Sequence, residues 1–97
     1  MIRHVVLLKF KPEASAAERD DLVKMLGQLA HDVETVRELS VGVDFDGSAR
    51  ACDLALIVDF DDREGLNTYA VHPMHIPVKK RIGELCEGVY VVDYELA

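Results

Sequence analysis

Residues 72 to 75 read HPMH and set two imidazoles three positions apart around a proline, with Tyr69 just upstream and His4 near the start of the chain. Imidazole changes charge near neutral pH, so this string can be a metal clip, an acid/base site or a pair of helix caps. A metal clip needs further ligands, and His4 is the conceivable third. The proline kinks the segment where a ligand pair would prefer a smooth helical turn, and no cysteine or carboxylate stands at ligand spacing. No metal and no cofactor is expected. His72 precedes Pro73 and is pushed away from helical angles, which suits a cap or turn residue. His75 falls in or just before the first turn of the next segment, where its ring can face back toward a sheet. It is the strongest candidate for ligand contact. His31, Asp59, Asp61 and Asp62 are accounted for by helix ends and strand ends.

The elements that must hold these groups are legible in the periodicity. Residues 2 to 10 alternate as a strand with His4, Val6, Leu8 and Phe10 on one face and Val5 and Leu7 on the other. Ser15-Ala16-Ala17-Glu18 has the capping-box form, and Leu22, Val23, Leu26, Leu29, Ala30 and Val33 recur at helical spacing after it. Leu39, Val41, Val43 and Phe45 predict a second strand, Asp46-Gly47-Ser48 a turn, and residues 53 to 60 a third strand. Asp61-Asp62-Arg63-Glu64 repeats the capping pattern ahead of a short helix that carries Tyr69 and stops before Pro73. A second helical piece carries Val78, Ile82, Leu85 and Cys86. Gly88 then breaks it, and residues 89 to 94 form a last strand with Tyr90, Val92 and Tyr94 on one face.

The order β-α-β-β-α-β predicts an α+β, ferredoxin-like fold: a four-stranded antiparallel sheet with its helices on one face. The other face would hold Val5, Leu7, Ala55, Ile57, Val89 and Val91, too apolar for water, so the expected partner is a second copy laid sheet to sheet as a homodimer. Ninety-seven residues make a single domain, 1–97. A net charge of -7 repels phosphate backbones and anionic lipid surfaces, which argues against nucleic acid and membrane partners. No apolar run approaches the roughly 20 residues of a membrane span, nor does the start look like a secretory leader, so a cytoplasmic location is expected. Cys52 and Cys86 are too far apart in sequence to suggest a zinc knuckle or a disulfide framework.

HVVLLKFK at 4 to 11, LALIVDF at 54 to 60, the Y-x-x-H-P-x-H run at 69 to 75 and VVDYE at 91 to 95 together resemble the stress-responsive dimeric α/β barrel (Dabb) family over nearly the whole chain. The resemblance implies a dimer whose two sheets close a barrel. It also implies a set of site residues, because one plant member closes a ring on a linear polyketide by an aldol step. By position, His75 would remove a proton beside a carbonyl, Tyr69 would donate to the enolate oxygen and His4 would help place the substrate. Two functions follow as expectations. In the first, a pocket between sheet and helices, lined by Val6, Leu8, Phe60 and Val92, binds a small apolar or aromatic molecule with His4, Tyr69 and His75 as its polar groups. In the alternative, the same groups make an acid/base enzyme acting on a carbonyl compound, cyclase-like or a lyase or isomerase.

Overall fold

The computed structural model describes residues 1–97. Its elements are β1 (Ile2–Phe10), α1 (Ala16–Asp32), β2 (Glu38–Val43), β3 (Leu54–Phe60), α2 (Arg63–Ala70), α3 (Ile76–Leu85) and β4 (Cys86–Glu95). The four strands form one sheet in the order β2-β3-β1-β4, antiparallel throughout, which is the ferredoxin-like arrangement. No helix is long and apolar enough to cross a membrane.

Helix α1 begins at Ser15 because its hydroxyl accepts from the Glu18 amide at 3.1 Å while the Glu18 carboxylate accepts from the Ser15 amide at 2.9 Å. Those bonds, with the Arg81 guanidinium at 3.1 Å, hold the Glu18 carboxyl below the usual carboxylate range and tie α3 to α1. Leu22, Leu26 and Leu29 form the buried stripe of α1. They pack against Val6, Leu8, Leu54, Leu56, Val58 and Phe60, the helix-facing residues of β1 and β3. Helix α2 is capped by Asp62, whose carboxylate accepts from Gly65 N at 2.8 Å, one residue later than the Asp61 that the DDRE pattern puts in the lead. Asp61 instead pairs with Arg37.

Three strand boundaries differ from the periodic reading. Strand β2 ends at Val43, and Phe45 stands fully exposed beyond it, because the chain turns through Gly47 at φ 68° with the Asp44 carboxylate accepting from the Gly47 amide. Strand β3 starts at Leu54 instead of residue 53. Strand β4 starts at Cys86, straight out of α3, so Gly88 lies inside it and breaks nothing. Gly88 is needed there for space, since a Cβ would meet the Tyr90 ring at 3.0 Å and Lys9 Cβ at 3.3 Å.

The phase of β4 is the main correction. Cross-strand partners in an antiparallel ladder point to the same side, and β4 pairs with β1 as His4↔Asp93, Val6↔Val91 and Leu8↔Val89. Val89, Val91 and Asp93 therefore face the helices, while Tyr90, Val92 and Tyr94 share the open face with Val5, Leu7 and Arg3. The alternation of VYVVDY puts apolar residues in both phases, so it gives a period and no side. A register shift between Lys9 and Phe10, where β1 meets Gly88 and Cys86, sets the side. The open face carries one tight ion pair, Arg3 with Asp59, doubly bonded at 2.9 Å between β1 and β3, which holds the buried Asp59 carboxyl below its usual range.

Because Leu22 is wholly enclosed whereas Ser15 acts only at an exposed helix end, Leu22→Ala should cost about 2–5 kcal/mol of unfolding free energy and Ser15→Ala about 1 kcal/mol. Urea unfolding of both variants checks the ranking, and the reverse order would mean that α1 is not anchored by its stripe.

Candidate functional site

The HPMH turn is built so that its two rings do different work. The His72 amide donates to Tyr69 O at 3.2 Å as α2 ends. His72 Nδ1 accepts from the Met74 amide at 3.1 Å, and Nε2 then carries the proton toward Glu34 Oε2, 3.2 Å away. The ring thus closes the turn on one side and grips the segment after α1 on the other. His72 O accepts from the amides of His75 and Ile76, and α3 starts with Pro77 as its second residue, where no amide is needed. His75 is the N-cap of α3 yet makes no side-chain cap bond. Its ring is turned to Tyr69 instead.

Tyr69 lies on α2 at 1% exposure, with its ring centroid 4.1 Å from His75, 5.2 Å from Phe60 and 5.8 Å from His4. Its hydroxyl and His75 Nδ1 are both buried without a hydrogen-bond partner. Leaving such atoms unpaired costs free energy, so they mark a place where the fold forgoes stability. Burial pushes the Tyr69 phenol up to about 12, which keeps it a donor at any physiological pH. Burial also lowers the His75 pKa, and the Lys79 ammonium lowers it further, while the backbone of Ala70 and Tyr69 pulls the other way. His75 is consequently a neutral imidazole at pH 7. His4 Nδ1 is hydrogen-bonded to the Asp93 carboxylate, which fixes the ring's orientation and makes Nδ1 the protonated nitrogen.

These groups open on one cavity of about 420 Å³ between β1, β4, α2 and α3. Val6, Leu66, Ile82, Val89 and Val91 give it an apolar wall, and His4, Tyr69, His75 and Lys79 its polar groups. Val89 and Val91 remain 49% and 54% exposed on the helix side because the helices stop short of covering β4. Of the four lining residues expected from the sequence, Val6 lies in the wall. Leu8 and Phe60 are fully enclosed in the packed core, and Val92 is on the opposite face of the sheet. Val89 and Val91, given to the open face by the alternation, line the cavity instead.

Sequence reasoning also passed over Asp93 and Lys79. Asp93 had no local signal, since it meets His4 only through the β1–β4 register. Lys79 and Ile82 did have one, because positions 75, 79 and 82 fall on one face of a helix. No group of three His, Cys, Asp or Glu residues is arranged to hold a metal ion, and Cys52 and Cys86 are free thiols.

Comparison with known proteins agrees with this architecture. Residues 2–96 match the family described as Stress responsive A/B Barrel Domain. A stress-response A/B barrel domain-containing protein of Arabidopsis thaliana is 27% identical over 95 residues, which are 97% of this chain and 36% of that protein, so the chain spans about a third of that relative's length. Olivetolic acid cyclase of Cannabis sativa is 23% identical over 95 residues, covering 96% of this chain and 94% of the cyclase. Among solved structures, a dimeric ferredoxin-like protein of Bacteroides fragilis is 25% identical with a TM-score of 0.82, covering 98% of this chain and 95% of that one. The hydroxynitrile lyase of Passiflora edulis superposes with a TM-score of 0.90 at 20% identity, covering 99% and 93% of the two chains, a likeness of fold.

Two outcomes follow from the site's electrostatics. Tyr69→Phe deletes a buried unpaired hydroxyl without changing shape, so it should leave stability unchanged or raise it by about 1 kcal/mol in urea unfolding. A clear loss would mean that the hydroxyl has a protein partner. For His75, the folded pKa is below the unfolded value, so the unfolded chain binds the proton more strongly. Stability should fall as pH drops below about 6.5 and be insensitive to this group above it. Unfolding titrations of the chain and of His75→Gln between about pH 7.5 and 5.5 should differ by that slope.

Proposed function

Since the chain belongs to the stress responsive A/B barrel domain family, we propose that it acts as a homodimer, each copy binding a small apolar or aromatic molecule in the cavity beneath α2 and α3. The observation that carries the binding reading is the pair of buried, unpartnered polar atoms, Tyr69 Oη and His75 Nδ1, on two residues that line the cavity. Protein interiors pair such atoms, and a ligand with one hydrogen-bonding group would supply the missing partner. The dimer reading rests on the open face. Leu7, Tyr90, Val92 and Tyr94 stand 39 to 58% exposed there, side by side on β1 and β4. Such a patch favours burial against its own twofold copy, and the similar proteins of Bacteroides fragilis and Thermobifida fusca are described as dimeric.

A second reading, acid/base catalysis on a carbonyl compound, is favoured by the state of the two rings. A neutral His75 can accept a proton from the carbon beside a carbonyl. The C–H electron pair moves into an enolate whose oxygen takes the Tyr69 hydrogen bond, and the proton returns in the reverse or the following step. His4, oriented by Asp93, would present its other nitrogen to the bound molecule and place it. A cyclase and a lyase among the similar proteins support this class of chemistry.

Sedimentation velocity at micromolar concentration should show two copies for the chain and one for Val92→Asp. Thermal melts with aryl alkyl ketones should rise with ligand concentration. For catalysis, propiophenone in heavy water should exchange its α-hydrogens faster than with free imidazole. His75→Ala and Tyr69→Phe should each slow that exchange about a hundredfold. Ketone binding without exchange leaves the binding function and removes the enzymatic one, and absence of any ligand-induced shift removes both.

A further inference from the structure

We propose that Lys79 reads a negatively charged group on the ligand, so that the cavity selects a small carboxylic acid with an apolar or aromatic body over its neutral counterparts. This deepens the binding reading above and rests on it.

Lys79 stands one helical turn after His75 on α3, and it is the one lysine or arginine in the cavity wall. Its ammonium donates once, to Ala70 O at 2.7 Å, where it also completes a carbonyl at the end of α2. Two of its three hydrogens have no protein acceptor, and no carboxylate lies within ion-pair distance of it. Arg3, Arg37, Arg63 and Arg81 each have such a partner. An unpaired lysine in open water is ordinary. This one, although solvent-exposed, lines the same cavity as Tyr69, whose buried hydroxyl is also unpartnered. Asp93, on the same face of β4 as Val89 and Val91, is engaged by His4. The wall therefore carries a lysine ammonium with two unused hydrogens and no carboxylate at ion-pair distance to answer its charge. A carboxylate supplies what is missing: two acceptor oxygens and a charge. Val6, Leu66, Ile82, Val89 and Val91 offer an apolar surface to the rest of the ligand.

Calorimetry with para-propylbenzoate and para-propylbenzamide, equal in shape and different in charge, tests this on the full chain. The acid should bind about tenfold more tightly at low salt, the advantage shrinking as salt is added, because the ammonium is solvent-exposed and screened. Lys79→Met, which keeps the aliphatic stem, should bring the acid and the amide to equal affinity, and Lys79→Arg should retain the preference. Equal binding of the two compounds by the unaltered chain, or a preference that survives Lys79→Met, overturns the proposal and leaves the cavity's binding role standing. If neither compound binds, the binding role fails and this inference goes with it. Should Lys79→Met not fold, the acid–amide difference in the unaltered chain and in Lys79→Arg, with its salt dependence, decides the matter.

Discussion

The antiparallel ladder between β1 and β4 is the constraint on which the site depends. It joins residues nearly ninety positions apart and determines, for each side chain of β4, which layer of the molecule it enters. With the register as it is, Asp93 reaches His4 and orients it, and Val89 and Val91 become cavity wall. Tyr90 and Val92 pass to the open face. A slip of one residue would exchange all of these at once, leaving His4 without its carboxylate and the cavity walled by tyrosine. The irregularity at Lys9 and Phe10 opposite Gly88 pins that register, and the crowding around Gly88 shows why no larger residue stands there.

A second consequence of the architecture is incomplete coverage. Helix α1 seals the middle of the sheet, where Leu8, Val58 and Phe60 are wholly enclosed. Helices α2 and α3 are short and separated by the proline turn, and they leave part of β4 uncovered. The cavity is that shortfall. Its polar groups come from elements with different degrees of support: His4 from the central strand, Tyr69 from a helix stacked on Phe60, and His75 from the N-cap of α3, held by a turn that His72 closes. Each ring is therefore positioned by packing or by backbone bonds made elsewhere, which leaves Tyr69 Oη and His75 Nδ1 free of structural duty.

Stability and availability pull in opposite directions here. A solvated or paired phenol would cost the fold less than the buried, unpaired one of Tyr69, and a charged imidazole would be better hydrated in open water than the half-buried neutral one of His75. The desolvation that imposes these costs also sets the protonation states, a phenol that keeps its proton and an imidazole that lacks its second. A donor and an acceptor are thus left without protein partners in one place.

The sequence by itself determined the element order, the capping box at Ser15, the one-sided stripe of α1, and the break at Pro73 that parts His72 from the segment of His75. All of these follow from local rules: side-chain period, the angles a proline allows its neighbour, and the reach of a hydroxyl to an amide three residues on. Tertiary structure alone decided the side on which β4 presents its two apolar phases, the meeting of Asp93 with His4, and the difference between Val6 in the wall and Leu8 and Phe60 in the solid core. The reason is that register and enclosure belong to pairs of distant segments. A strand apolar in both phases has no preferred side until a partner, fixed in place by the rest of the sheet, supplies one.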